Sequence, residues 1–454
     1  MRILSSLAIC LAVAISTGCA DALKSDYHPP EVVYPERWRQ DDTAGDPAPF
    51  DWEAFNDPRL NNWLRQVMAR NNDVAMAVLR VYRARLEAER TGLANAPGLK
   101  ATVALDGRRV RNTPSVWTKS SSASLNISYE LDLWGRIARQ RDAAEWARQA
   151  AEEDLRAARL ILISAACNNY WRIGFINQQI TTLQQSIDYG KETLRLANAR
   201  HNAGGASSLD VVDAQQSLLM QENRLTGLRH ERLQALNQQA VLLGAPPGGQ
   251  FVEPAGLPVG ALPQINEYIP ASVLKHRPDV RAKESRVREA LANVDVRRAG
   301  YYPEINLTGT LGTGGGSLMT LLHNTVGAVG ASLTLPFLEW RQRGVEVRIA
   351  RNDYEQRVLE FKQALYKAMN DIDDALFMRN QLLVQEIRLR EGFELAQKAE
   401  RLNEVRYRQG AVRISFWLDA QEKRRQAGLL LDENRFNQYQ NLAKIYLEFG
   451  RSPE

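Results

Sequence analysis

The chain has 454 residues, 44% hydrophobic and 24% charged, with 58 Lys and Arg against 53 Asp and Glu. This composition excludes a disordered chain, and after the first 18 residues no apolar run approaches the ~20 that a membrane-spanning helix needs. The net charge of +5 is spread along the sequence without zinc-ligand spacing or an aromatic-studded basic motif, so nucleic acid is not an expected partner.

The first segment has the layout of a signal peptide. Arg2 supplies a positive start, Ile3–Ile15 is apolar, and Ser16-Thr17-Gly18 are small residues before Cys19. The predicted signal covers residues 1–18. A cysteine directly after Ser-Thr-Gly resembles a bacterial lipobox, although Ser16 stands where Leu is commonest. Cys19 is therefore the expected lipidation site, and an ordinary cleavage site with an incidental cysteine is the alternative. Cleavage would remove Cys10 and leave Cys167 as the only free thiol, so neither an intramolecular disulfide nor a Cys-x-x-Cys metal or redox motif is expected. Residues 19–57 are expected to form an extended, lipid-anchored arm.

A helical segment is predicted over about 58–95, broken at Pro97. Period-2 alternation follows. Leu99, Ala101, Val103 and Leu105 alternate with polar or small residues, and so do Ala123, Leu125, Ile127, Tyr129 and Leu131. From Trp134 to Pro246 there is no proline and much Ala, Leu, Glu, Arg and Gln, which predicts helix. A helix from Gly135 to Arg200 would be on the order of 100 Å long. A Gly/Ser break at 204–208 precedes a return helix over 209–244. Residues 245–270 carry prolines at 246, 247, 254, 258, 263 and 270 and read as an irregular connector.

The whole pattern then recurs. A helix is predicted over 271–300 and a break at Pro303. Strands follow around Ile305–Leu311 and Val329–Leu335, then a long helix, a break at Gly410, and a return over 415–450. One offset of 206 residues relates the two copies without gaps. It pairs Asp73 with Asp279, Pro97 with Pro303, Trp134 with Trp340, Arg200 with Arg406, Gly204 with Gly410 and Gly244 with Gly450. The predicted organisation is a repeat over 58–244, a connector over 245–270 and a second repeat over 271–454.

Four strands of about ten residues, each with one apolar and one polar face, are long enough to cross a bilayer when tilted. In lipid every backbone donor and acceptor needs a partner, so only a closed barrel is admissible, and four strands cannot close one. If the strands are transmembrane, several copies of the chain must pool them. Two copies would make a barrel filled by its own side chains, and three leave room for a polar lumen. Long hairpins side by side can likewise bury their apolar stripes in a helical cylinder. A soluble β-domain inserted in a helical hairpin is the alternative.

Several motifs resemble one family. They are Trp52-x-x-Phe55-x-Asp57-Pro58-x-Leu60, Asn72-Asp73-Val74, Tyr129-Glu130-Leu131-Asp132-Leu133-Trp134-Gly135-Arg136, His276-Arg277-Pro278-Asp279-Val280 and Tyr301-Tyr302-Pro303-Glu304-Ile305. In order and spacing they resemble the TolC-like outer-membrane factors, in the lipoprotein subgroup of tripartite resistance-nodulation-division efflux systems. The resemblance implies a mainly α fold with β: tandem helical hairpins, four transmembrane strands, and a homotrimer with a 12-strand β-barrel continuous with a periplasmic α-barrel. It implies as partners a periplasmic adaptor, an inner-membrane pump and outer-membrane lipid. The implied function is a passive exit duct for small molecules such as drugs. An outer-membrane duct for type I protein secretion, or a non-pore periplasmic coiled-coil lipoprotein, are the alternatives. No catalytic constellation is apparent among five histidines, and Gly312-x-Gly314-Gly315-Gly316 lacks the Gly-Lys-Ser/Thr ending of a phosphate loop. No cofactor or metal is expected.

The resemblance also assigns roles at the helix turns. Asp419 matches an aspartate ring at a channel constriction, where converging carboxylates favour cations. Ser415 and Phe416 occupy the neighbouring constriction positions, and Phe416 or Trp417 could supply an apolar constriction or pack between helices. Asp210 matches a latch residue whose partner is Tyr407, with Arg413 beside the position of a second latch. Asp210 also fits a helix-start residue. Gly204 and Gly410 would permit the tight tip turns.

Overall fold

The structure, a computed structural model, describes residues 23–33, 55–109, 117–249, 252–263, 274, 276–315 and 325–450. The expected signal peptide and Cys19 lie outside the described residues, as do parts of the arm and of the connector. Two compact units divide the chain. One takes in Leu79–Glu153, Arg281–Ala364 and the N-terminal stretch 23–33. The other takes in Asp154–Val280, Leu365–Glu454 and the segment around Phe55–Val78.

The first unit holds the sheet. Strands β1 (Gly98–Arg108), β2 (Thr118–Leu131), β3 (Glu304–Gly315) and β4 (Thr325–Thr334) form one antiparallel sheet in sequence order. β2 and β3 are longer than the alternation predicted, so both hairpin connections are shorter. The register settles which residues share a face. Leu99 pairs with Ile127, Ala101 with Leu125, Leu125 with Leu311, Tyr129 with Leu307, and Leu307 with Ala331. Directly paired residues point to the same side, so one face is an apolar ribbon across all four strands. The other carries Ser124, Asn126, Thr308, Thr310 and Ser332, and Thr310 Oγ1 donates to Asn126 Oδ1 at 2.9 Å. The apolar ribbon is uncovered: Leu99, Val103, Leu125, Leu311, Val329 and Leu333 are all exposed.

The strand-to-helix junction explains its dense motif. Asp132 accepts from the backbone of Ile137 (3.1 Å) and Ala138 (2.8 Å), capping helix α3 (Arg136–Asn202). Gly135 takes φ +74°, which the reversal needs. Arg136 bonds Glu130 at 2.6 Å, and Trp134 donates to the Pro303 carbonyl at 2.9 Å while stacking on Tyr302. This packing occupies Tyr302.

In the same unit, helix α5 (Pro278–Ala299) receives the N-terminal stretch. Ser25 donates its N–H and hydroxyl to the buried Asp295 carboxylate at 2.8 and 2.6 Å. Arg288 lies over the rings of Tyr27 and Trp146, with Cζ 4.5 and 4.7 Å from their centroids.

The second unit is helical. The expected 58–95 helix is two helices, α1 (Pro58–Arg70) and α2 (Asn72–Leu93). The side chain of Asn71 breaks it, accepting from Asp73 and Val74 N–H groups at 2.9 and 3.1 Å. Asp57 caps α1 ahead of Pro58. Trp63, wholly buried, donates to the Ala166 carbonyl at 3.1 Å, and Tyr170 donates to Asp57 at 3.0 Å. Cys167 is buried in this core, which pushes its thiol pKa up and leaves it an apolar filler. Helices α4 (Ser208–Leu242), α6 (Trp340–Arg408) and α7 (Ile414–Phe449) complete the two hairpins with α3.

The repeat register is visible in the bonding. Asn71 donates to the Leu242 carbonyl at 2.9 Å, and at the equivalent pair Arg277 donates to the Glu448 carbonyl at 3.3 Å. Asn169 donates to the Ala235 carbonyl, and its mirror Asn441 donates to the Ala375 carbonyl, both at 3.0 Å. Each hairpin thus carries the same clasp with the donor on the opposite helix.

Candidate functional site at the hairpin turns

The functional side chains predicted from sequence cluster where α3 turns into α4 and α6 into α7. Gly204 and Gly410 adopt φ +74° and +78°, and each ends a helix with the same pair of bonds. Gly204 N–H donates to His201 and Gly205 N–H to Arg200; Gly410 N–H donates to Tyr407 and Ala411 N–H to Arg406. A side chain at either glycine would be strained in this left-handed region whatever the space around it. The next helices start differently. Ser207 caps α4, accepting from Asp210 N–H at 3.3 Å. Arg413 stands in the equivalent place before α7 without a side-chain cap.

Behind the turns is a small core of Ala197, Ala214, Tyr407, Ile414 and Trp417, with Val412 packed against it. Tyr407 stacks on Trp417 at 5.4 Å, and Tyr189 meets Trp417 edge-on at 6.0 Å. Trp417 is therefore a packing residue. Burial, together with the nearby Asp210 carboxylate, raises the Tyr407 pKa against the opposing pull of Arg200. Burial and Glu404, to which its hydroxyl donates at 3.2 Å, push Tyr189 up to about 12.

The expected latch residues meet only in part. Asp210 is buried within reach of Tyr407's electrostatics, yet no hydrogen bond of good geometry reaches the Tyr407 hydroxyl. Arg413 is exposed and pairs with neither of them among the described residues. Arg200 holds Tyr407 instead. It donates Nη1 to the Tyr407 carbonyl at 2.5 Å and places Cζ 4.7 Å from the ring centroid. No local signal in the sequence marks this role, because the contact joins residues 207 positions apart.

Ser415, Phe416 and Asp419 lie together on one exposed face of α7, as i, i+1 and i+4 positions do on a helix. Asp419 accepts from Lys423 Nζ at 2.7 Å on that same face. Sequence reasoning passed over Lys423, although its i,i+4 spacing from Asp419 was legible.

The model for outer membrane efflux proteins matches the chain twice, over residues 63–245 and 269–451. The chain belongs to the outer membrane efflux protein family. It is 29% identical to the toxin and drug export protein A of Aggregatibacter actinomycetemcomitans, covering 87% of each chain. It is 27% identical to the pyoverdine export outer membrane protein OpmQ of Pseudomonas aeruginosa, covering 93% of this chain and 90% of the relative. Among solved structures, the CmeC outer membrane channel of Campylobacter jejuni superposes with a TM-score of 0.83 at 19% identity, covering 95% of this chain and 96% of that one. That likeness bears on the fold, which is the tandem-repeat architecture of these channels. The family is one of channels, and family membership places the protein in the outer membrane.

Proposed function

We propose that this efflux protein works as a homotrimeric exit duct, passing small molecules such as drugs from periplasm to exterior within a tripartite pump. The carrying observation is the sheet. It has four strands, an uncovered apolar face, and edge strands β1 and β4 each paired on one side only among the described residues. Such a sheet suits lipid only when its edges are closed by others like it. Three copies close a twelve-stranded barrel with the Ser/Thr/Asn face lining a water-filled lumen. The repeats 58–244 and 271–454, joined by 245–270, would supply two hairpins per protomer to a helical barrel below. A periplasmic adaptor would dock on this helical part and link it to an inner-membrane pump. The names of the relatives, which export drugs, toxins and pyoverdine, support this reading.

Native mass spectrometry of the detergent-extracted protein, with conductance in planar bilayers, tests it. A trimer that conducts is the expected result, and a monomer recovered from the soluble periplasm would sink it. The anchor is tested separately. Mass spectrometry of the mature N-terminal peptide is expected to find a thioether-linked diacylglyceryl group on Cys19, and an unmodified cysteine there would remove the lipid anchor.

Asp419, with Ser415 and Phe416 on the same exposed face, would line the constriction. Converging carboxylates at an axis favour cations. Asp419→Ala is expected to reduce the cation-to-anion permeability ratio severalfold. An unchanged reversal potential in a salt gradient would remove Asp419 from the constriction.

A further inference from the structure

We propose that Arg200 is the residue that holds the hairpin turns closed, acting through the ring and backbone carbonyl of Tyr407 and not through its hydroxyl. This rests on the duct reading above, since closure matters only in a channel.

The contact joins the ends of two hairpins. Arg200 sits in the last turn of α3, and its own carbonyl accepts Gly205 N–H at 2.8 Å. Its guanidinium donates to Tyr407, in the last turn of α6, whose carbonyl also accepts Gly410 N–H at 2.9 Å. The last four carbonyls of a helix lack partners within it and carry the negative end of the dipole, so a cation is favoured there. The planar guanidinium also covers the Tyr407 ring, an attraction that strengthens as the site loses water. Arg200 is half-buried and Tyr407 fully buried. A Cβ on Gly410 would lie 3.5 Å from Arg200 Nη2, so the side chain runs directly alongside the second turn. The α3–α4 and α6–α7 turns cannot separate without releasing it.

The repeat supplies an internal comparison. The register mate of Arg200 is Arg406, which is exposed. The same residue type at the same turn position is therefore put to different use. The neighbouring position differs in step with it: His201 in the first repeat corresponds to Tyr407 in the second. His201 turns to its own loop, with Nδ1 3.0 Å from the Ala206 carbonyl, and offers no ring to Arg406. The asymmetry makes a one-way tie from the first hairpin to the second.

The Tyr407 hydroxyl and the Trp417 indole N–H are both buried without hydrogen-bond partners. A buried unpaired donor opposes the state that buries it. Removing the hydroxyl should therefore favour the closed turn, whereas a hydroxyl latch would predict the opposite.

The test uses the full-length oligomer in planar bilayers, comparing wild type with Arg200→Ala, Arg200→Lys and Tyr407→Phe. Arg200→Ala is expected to raise the ratio of open to closed time about tenfold or more, the size of a lost charge-assisted bond. Arg200→Lys keeps the charge but loses the planar fork and stacking, so it should rescue only in part. Tyr407→Phe is expected to shift the channel toward the closed level. Arg200→Ala gating like wild type, or Tyr407→Phe opening as far as Arg200→Ala, would overturn the proposal. Hydrogen exchange of the Gly410 and Ala411 amides reads the same tie without a pore. Faster exchange in Arg200→Ala supports it, and unchanged exchange overturns it. A wild-type protein that never conducts would instead count against the duct.

Discussion

Leu125→Arg is expected to abolish assembly of the protein in the outer membrane, while Asn126→Arg, one residue along the same strand, leaves assembled oligomers. Leu125 lies in the middle of β2, paired with Ala101 on one side and Leu311 on the other, in the apolar ribbon. It is 47% exposed in a single chain, with nothing of the chain itself over it. A guanidinium on the lipid face near the bilayer midplane costs about 2–4 kcal/mol in a transmembrane barrel. Every copy in a symmetric barrel carries the same cost, so the penalty multiplies and rivals the total stability of a typical domain. Asn126 faces the other way and bonds Thr310 and Ser124, so its replacement sacrifices about 1 kcal/mol per bond. Membrane fractionation with gel analysis of unheated oligomers distinguishes the two. Equal assembly of both variants would show that the apolar ribbon does not face lipid.

Arg277→Met is expected to destabilise the helical unit by about 3–5 kcal/mol near neutral pH, the usual cost of breaking a buried ion pair from one side. Arg277 is buried between two carboxylates. It donates to Asp279 at 3.1 and 2.8 Å and to both the carboxylate and carbonyl of Glu448. It thereby ties the start of α5 to the end of α7. Burial holds the Glu448 pKa above the ordinary carboxyl range, and Arg277 is what restrains the rise. Removing the guanidinium lets it climb further. A carboxyl raised in the folded state contributes stability at low pH and loses it as pH rises through the folded value. The deficit of Arg277→Met is therefore expected to be smaller at pH 5 than at pH 7. Thermal melts in detergent at both values measure this. Adding Glu448→Gln should recover part of the loss at pH 7. A deficit independent of pH and unrelieved by that second change would mean Glu448 is not the orphaned charge.

Much of the fold was legible because its signals are local and periodic. Alternation of apolar residues placed all four strands, and the proline-free stretches placed the long helices to within a few residues. The gap-free offset of 206 residues survives as matched carbonyl clasps at Asn71 and Arg277 and matched left-handed turns at Gly204 and Gly410. The break at Asn71 escaped because an asparagine inside an amphipathic run breaks a helix only if its side chain caps the next one. The strand ends were also longer than the alternation, since Thr, Ser and Gly pair in a ladder without marking a face.

The candidate site was legible one residue at a time. Spacing alone put Ser415, Phe416 and Asp419 on one face of a helix, and Asp419 opposite Lys423. Which side chain grips Tyr407 is a different kind of question. Asp210 and Arg200 both end near it, and chain geometry alone does not choose between a carboxylate–hydroxyl bond and a guanidinium over a ring. The tertiary packing of Trp417 and Tyr189 against Tyr407 fixes the ring, turns its carbonyl toward Arg200 and leaves its hydroxyl unpaired. Local periodicity and repetition thus determined the elements, their order and the turns where function concentrates. The direction of each buried polar group depends on neighbours hundreds of residues away in sequence, and only the packed structure decided it.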